Sequence, residues 1–186
     1  MNGASNHLQR ASHTPDEWCG SLDDVVVRFV EELLGTGLDG TQRQQVFLPL
    51  KLGGLGLNSA SSRRHSAYVA SWEQCLADVA GTVGATSAAG LFGHVPWTHN
   101  SLLAAEAGLR AQCVGGQQRT AVWESCFSTP ATQSQKEWTK AVHQAAHARL
   151  LEELPEEDKV DLRSAGGHAG AFLLPPTQTD HLMPDA

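Results

Sequence analysis

Long apolar runs are missing from this 186-residue sequence. No stretch approaches the roughly 20 apolar residues that a membrane-spanning helix needs, and the polar N-terminus lacks the apolar core of a secretory signal. We therefore expect an intracellular protein with no membrane partner.

Closely spaced metal or redox residues are missing too. No C-x-x-C pair is present, so the cysteines predict neither a zinc ribbon nor a redox motif. His143 and His147 are four residues apart, but no third ligand accompanies them, so we interpret them as an exposed polar face. We expect no cofactor and no bound metal. The four cysteines are interpreted as reduced, partly buried apolar groups: Cys19, Cys75, Cys113 and Cys126.

Charge is sparse and unevenly distributed. Charged residues make up 18% of the chain and the net charge is −7, which argues against a free-standing nucleic-acid binder. Residues 40–72 nevertheless contain no acid, so this window carries +4 and the rest of the chain −11. The window either lies near a nucleic-acid backbone or is acid-free through its Ala, Gly and Ser-rich composition, and both interpretations stay open. Its cations are Arg43, Lys51, Arg63 and Arg64.

The apolar spacing predicts a mainly α fold, an irregular domain of about five to six helices joined by long Gly, Ala and Ser-rich loops. We expect a disordered segment at 1–15, a helical domain at 16–174 and an extended tail at 175–186. Leu22, Val26, Phe29, Val30, Leu33 and Leu34 give the helix at 16–34 its apolar face. Further helices are predicted at 59–79, 99–113, 117–127 and 133–153, with a short one after Pro155.

Several details follow from the same pattern. Residues 81–97 are predicted to form a flexible connection. Leu48, Leu50 and Leu52 alternate, which predicts one short extended piece. Trp72 and Trp138 are expected to be buried on their helices.

Two segments resemble parts of a known polyprotein. Residues 46–60 read Val-Phe-Leu-Pro-Leu-Lys-Leu-Gly-Gly-Leu-Gly-Leu-Asn-Ser-Ala, and residues 163–173 read Arg-Ser-Ala-Gly-Gly-His-Ala-Gly-Ala-Phe-Leu. Both, with Met183-Pro184-Asp185 after them, resemble the region that follows the palm domain in reverse transcriptases of non-LTR (LINE-like) retrotransposons. In the first segment the matching motif positions are Leu48, Pro49, Gly53, Gly54 and Gly56.

The resemblance implies a thumb-like segment whose parent catalyses RNA-templated DNA synthesis on a template–primer. In a full-length parent the basic window would lie near that RNA or DNA, whereas we expect weak or no nucleic-acid binding by this chain alone. The alternative is a standalone helical protein-interaction module derived from a degenerate retroelement. The glycines are interpreted as sites of tight packing and not as a phosphate cradle.

The catalytic carboxylates of such a polymerase are not recognisable. Two-metal phosphoryl transfer needs an acidic pair on a hairpin, and the nearest sequence is Ser21-Leu22-Asp23-Asp24 inside a helical pattern. We interpret Asp23 and Asp24 as a solvated first helical turn. The chain is therefore expected to be non-catalytic.

Overall fold

The computed structural model describes residues 2–113, 123–128 and 134–166, and within these ranges the fold is mainly α, as predicted. The described ranges hold nine α-helices and a single 3₁₀ turn at Leu50–Leu52, with no strand. The helices are α1 Asn2–Ala11, α2 Asp16–Leu34, α3 Gly40–Val46, α4 Ala60–Val83, α5 Ala88–His94, α6 Pro96–Gln112, α7 Trp123–Ser128, α8 Ser134–Glu153 and α9 Glu156–Ala165.

Helix α1 corrects the expectation that residues 1–15 are disordered. Its composition is polar, and its attachment to α4 depends on hydrogen bonds more than on an apolar face. Buried Gln9 donates from Nε2 to the Ala60 carbonyl at 2.7 Å. Leu8 on the same helix stays exposed.

Helix α5 and the start of α6 lie where a flexible connection was predicted at 81–97. The Ser87 hydroxyl accepts a hydrogen bond from the Gly90 amide and so caps α5. Leu91 and Phe92 are then buried in the core. The small residues of this stretch therefore form a helix because a cap and two large apolar side chains support it.

The bounds of α2 and the start of α4 agree with the sequence prediction, whereas α4 continues to Val83, beyond the predicted end at residue 79. Gly35 ends α2 in the left-handed conformation, with φ of 67°. Ser59 caps α4, because its hydroxyl accepts the Ser62 amide at 2.9 Å. Pro15 occupies the N-cap position of α2, and no side chain caps that helix.

Helix α4 lies at the centre of the fold and packs against α1, α2, α5, α6, α7 and α8. Its buried apolar residues, with those of α5 to α8, form the main core cluster. Trp138 belongs to this cluster and donates from Nε1 to the Glu73 carboxylate at 2.9 Å, so its predicted burial is confirmed. Trp72 is only partly buried at the edge of the cluster, because α4 turns a neighbouring face inward.

The predicted apolar face of α2 is wrong in phase except at Val30, which is buried as expected. Cys19, Val27 and Val30 are the buried residues of this helix. Phe29 and Leu33 were expected in the core, but their exposed fractions are 58% and 69%. Leu34 is exposed as well. Helix α2 therefore packs with a different edge from the one that its most apolar residues define.

A second, smaller apolar cluster joins the C-terminal helices to the Leu-Pro segment through Leu48, Leu150 and Leu162. Leu162 is the residue of α9 in this cluster. Helix α9 begins after Pro155, as predicted. The tail at 175–186, the second resembling segment beyond Gly166 and the predicted helix at 117–122 lie outside the described residues. No single described helix has both the length and the apolar character to cross a membrane, whereas the bent pair Ala60–Val83 and Ala88–His94 passes that test jointly.

Candidate nucleic-acid interface

The Leu-Pro-Gly segment forms a compact turn and not the short extended piece that alternating leucines predicted. The Leu48 amide donates to the Gln45 carbonyl, and the Leu52 amide donates to the Pro49 carbonyl at 2.8 Å. Leu50–Leu52 are a 3₁₀ turn that ends at Gly53, with φ of 82°. Proline and a left-handed glycine favour a turn over a strand.

Close packing explains the glycines of this turn. A Cβ atom on Gly53 would clash with the Leu162 carbonyl of α9, and one on Gly54 would clash with the Leu48 carbonyl. The interpretation of these two glycines as tight-packing sites is thereby confirmed. Leu48 is buried beneath the turn, and Lys51 is exposed on its outer side.

A cation-rich groove of about 950 Å³ runs between α1, this turn, α4 and α8. Arg63 and Gln74 of α4 both line it, and 11 residues of helix place them about 16 Å apart. None of the described residues that line the groove is acidic. Its cations come from four separate segments of a chain whose net charge is −7: Arg10, Lys51, Arg63, Lys136 and Lys140.

Arg10 is fixed at the groove by neutral groups. Its guanidinium donates to the side-chain amide oxygen of Gln135 at 2.7 Å and to that of Gln74 at 2.6 Å. Gln135 also donates to the Asn6 side chain at 2.9 Å. Amide oxygens orient the guanidinium without cancelling its charge, so Arg10 remains a positive group for an incoming anion.

Helix α8 supplies one wall of the groove. Lys136 and Lys140 are one helical turn apart, so both project to the same side, and both are exposed. His143 follows along that side. Burial lowers the pKa of His143, and the positive charges of Arg63 and Lys51 lower it further. Both effects favour the neutral form of this imidazole.

Arg63 lies opposite, half-buried on α4. Burial lowers the pKa of its guanidinium, although arginine remains charged in any ordinary buffer. A partly desolvated cation gains more from an anionic partner than a fully hydrated one does. Arg63 is thus a partly shielded cation on the α4 side of the groove.

Two of the four predicted nucleic-acid residues lie outside the groove. Arg43 is exposed on α3 and forms an ion pair with Glu31 at 3.0 Å. Arg64 is buried: its guanidinium contacts Asp16 at 2.6 Å and donates to the Thr14 carbonyl at 3.1 Å. Only Lys51 and Arg63 of the predicted set line the groove.

Arg10, Lys136 and Lys140 are groove cations that the sequence analysis missed. Arg10 lay in a segment expected to be disordered. Lys136 and Lys140 had a usable signal, because their i, i+4 spacing within the predicted helix at 133–153 puts them on one face. No sequence pattern indicates that this face of α8 lies close to Lys51 and Arg63 in the fold.

One residue of the acidic pair, Asp23, takes part in hydrogen bonds that connect two helices of the fold. Asp23 lies in the second turn of α2 and not in its first, and it is not simply solvated. Its carboxylate accepts from the Ser59 hydroxyl at 2.7 Å and from the Ala60 and Ser61 amides at 2.6 and 3.1 Å. Among the described residues, no group of three or more His, Cys, Asp or Glu could hold a metal ion.

Comparison of the chain with protein-family models, curated proteins and solved structures found no match. Function is therefore inferred from the chemistry of the groove and from the two sequence resemblances.

Proposed function

We propose that this chain is a non-catalytic segment of the kind that follows the palm in a non-LTR retrotransposon reverse transcriptase, and that its groove contacts the nucleic-acid backbone. The observation that carries the proposal is the collection of five cations, with no acid among the described lining residues, in a chain of net charge −7. The turn that resembles the retrotransposon segment supplies one of these cations, Lys51. The parent reaction would be RNA-templated DNA synthesis.

The groove is suited to phosphates and not to bases. Lysine and arginine neutralise phosphates, and the amides of Asn58 and Gln144 add donors for phosphate or sugar oxygens. No aromatic side chain other than the His143 imidazole is among the described lining residues, so the large stacking surfaces that bind single-stranded bases are not provided. Binding should therefore be independent of sequence and strongly dependent on salt.

The test measures the affinity of the purified chain for a short labelled duplex by fluorescence anisotropy over a range of salt concentrations. Five phosphate contacts would give a slope of log affinity against log salt of about −4.5. Because the rest of the chain is acidic, the dissociation constant near physiological salt should be roughly 10⁻⁴–10⁻⁶ M, as for other non-specific binding.

A charge-matched pair of double variants locates the contact. Lys136→Glu with Lys140→Glu should weaken binding by about tenfold or more at low salt and reduce the slope by about 2. Arg28→Glu with Arg163→Glu changes the net charge equally at exposed positions outside the groove, so it should have a much smaller effect. Equal losses in both variants, or tight binding that ignores salt, would contradict the proposal.

The non-catalytic part of the proposal has its own assay. The chain should extend no primer on an RNA template with dNTPs and Mg²⁺ or Mn²⁺, because no described acidic group resembles a two-metal site. Template-dependent extension that disappears in Asp24→Ala, an exposed position, would show that the pair is catalytic after all.

A helical protein-interaction module is the second candidate function. The observation that favours it is the exposed apolar side of α2, where Phe29 and Leu33 are more than half exposed.

A further inference from the structure

A second cavity, of about 580 Å³, lies between α5, α6 and α7 and is lined largely by aromatic rings. The rings of Phe92 and His99 stack, with centroids 4.6 Å apart and planes inclined by 3°. The Trp123 ring stands at 88° to Phe92, with centroids 5.9 Å apart. The rings thus lie in two planes that meet nearly at a right angle. Trp123 is half-buried, so part of its indole surface is open to a ligand.

Glu124 supplies the only carboxylate among the described residues that line this cavity. Its two oxygens accept long hydrogen bonds from the Ala88 and Ala89 amides at 3.5 and 3.4 Å, which orient the carboxylate at the start of α5. Neutral amides do not cancel its negative charge. The same lining contains no lysine or arginine among its described residues. A cation in the cavity would therefore be attracted both by Glu124 and by the aromatic faces.

The lining favours a methylated cation over a bare ammonium group. A lysine ammonium carries three donors that need acceptors. Besides Glu124, His99 offers the one further side-chain acceptor in the described lining, and the rest of that lining consists of alanine, glycine and aromatic residues. A quaternary ammonium group has no donor to satisfy. Its methyl groups gain from burial against apolar atoms as well as from the ring faces.

We propose that this cavity binds a quaternary ammonium group, with the Trp123 indole against the cation and the Glu124 carboxylate balancing its charge. The volume lies within the range of about 300–1,000 Å³ that is typical of small-molecule sites. Choline-type small molecules and trimethylated lysine side chains both carry such a group. The cavity shares no lining residue with the basic groove, so the inference does not depend on the proposed nucleic-acid contact.

The test compares choline with its neutral isostere, in which a tert-butyl group replaces the trimethylammonium group. NMR titrations that follow the tryptophan indole N–H signals of the purified chain give the dissociation constants. Choline should shift the Trp123 signal and should bind about fivefold more tightly than the isostere, as expected for one cation–π contact. Methylammonium should bind more weakly than tetramethylammonium, because its N–H donors find few acceptors in the cavity.

Variants at tryptophan positions locate the contact. Trp123→Leu should weaken choline binding about fivefold, whereas Trp123→Phe keeps an aromatic face and should give an intermediate affinity. Trp97 is 87% exposed and is not among the described lining residues. Trp97→Leu should therefore leave choline binding unchanged.

Variants at glutamate positions test the charge, and they decide the matter even if a Trp123 variant does not fold. Glu124→Gln keeps a side-chain oxygen for the α5 amides and removes the negative charge. It should weaken choline binding and leave binding of the neutral isostere unchanged. Glu152→Gln makes the same change at an exposed position of α8, and it should affect neither ligand.

The inference is overturned if the neutral isostere binds as tightly as choline, since the cavity would then be merely apolar. It is also overturned if methylammonium binds as tightly as tetramethylammonium, or if choline leaves the Trp123 signal in place. A short peptide with trimethyllysine identifies the source of the group. Tighter binding of the peptide than of choline indicates a polypeptide ligand, the reverse order indicates a small molecule, and either order supports the site.

Discussion

Arg63 and Arg64 are neighbours in sequence with opposite surroundings. Arg64 is buried, and its guanidinium contacts Thr14, Asp16 and His65. Arg64→Ala should lower the free energy of unfolding by about 2–3 kcal/mol, because it removes hydrogen bonds to and from a charged group. Arg63→Ala should cost less than about 1 kcal/mol, since that side chain is half-buried at the groove. Urea denaturation measures both, and equal losses would contradict this assignment.

Gly108 is a second residue whose surroundings decide the effect of a substitution. An alanine Cβ at Gly108 of α6 would come within 3 Å of the His65 ring, whereas nothing lies within 4 Å of one at Gly20 of α2. Gly108→Ala should therefore destabilise the fold by about 1–3 kcal/mol through overpacking. Gly20→Ala should stabilise it by about 0.5–1 kcal/mol, because glycine weakens a helix interior.

Thermal unfolding followed by circular dichroism distinguishes the two glycine variants by sign. The clash has a specific partner, so His65→Ala should cost less in the Gly108→Ala background than in the unaltered chain. Fully additive effects would show that the two positions do not touch.

At the scale of a secondary-structure element, a side chain of α2 caps the N-terminal end of α4. The Asp23 carboxylate accepts two amide hydrogen bonds at the start of α4 and one from the Ser59 hydroxyl. Asp23→Ala should cost about 2 kcal/mol, within the range for losing a helix cap, and should increase amide exchange at residues 60–62. Asp24→Ala, at the exposed neighbouring position, should change neither quantity. Unchanged exchange in Asp23→Ala would contradict the capping role.

Element boundaries were predictable here because local residues determine them. Gly35 ends α2 through its own backbone conformation, and Ser59 begins α4 with its own hydroxyl, to which Asp23 of α2 adds further hydrogen bonds. The buried face of α2 was not predictable, since it depends on where α4 lies. Phe29 and Leu33 fit the apolar pattern as well as Val30 does, yet of these three only Val30 is buried.

Helix α1 was missed for a related reason. Its sequence offers one large apolar side chain, Leu8, which is exposed. Gln9 and Arg10 hold the helix in place through hydrogen bonds to Ala60 and Gln135. These partners are 51 and 125 positions away along the chain. Apolar periodicity carries no information about such polar contacts.

At the scale of the whole molecule, the histidines make the fold sensitive to acid. Burial, then the charges of Arg64 and His13, lower the pKa of His65 to about 4. Arg64 Nε donates to His65 Nε2 at 3.1 Å, which requires that nitrogen to be unprotonated. The unfolded chain takes up a proton near pH 6.5 and the folded chain near 4, so stability is present above pH 6.5 and is lost as the pH falls toward 4.

The predicted loss from His65 alone is up to about 3 kcal/mol between those pH values. The pKa values of His13, His143 and His147 are lowered too, so their effects have the same sign. Urea midpoints between pH 7 and 4.5 measure the slope. His65→Gln should flatten it, whereas His7→Gln, at an exposed position, should leave it unchanged. A slope unaffected by His65→Gln would contradict the prediction.

The candidate groove is a property of the whole molecule, and the sequence revealed only part of it. Lys51 and Arg63 were found because they share an acid-free window. Lys136 and Lys140 lie beside them only because α8 packs on α4. Arg64 does not line the groove, because the fold brings Asp16 into contact with its guanidinium.

The hydrogen bond between Arg10 and Gln135 spans 125 positions of the chain. Contacts of such long sequence separation form only after a large loop has closed, and closing it costs conformational entropy. During synthesis, α1 is made long before α8, which supplies the other residues of this part of the groove. The ability to bind an anion in the groove would therefore be acquired only at the end of folding, and it would report that both ends of the described chain have come together.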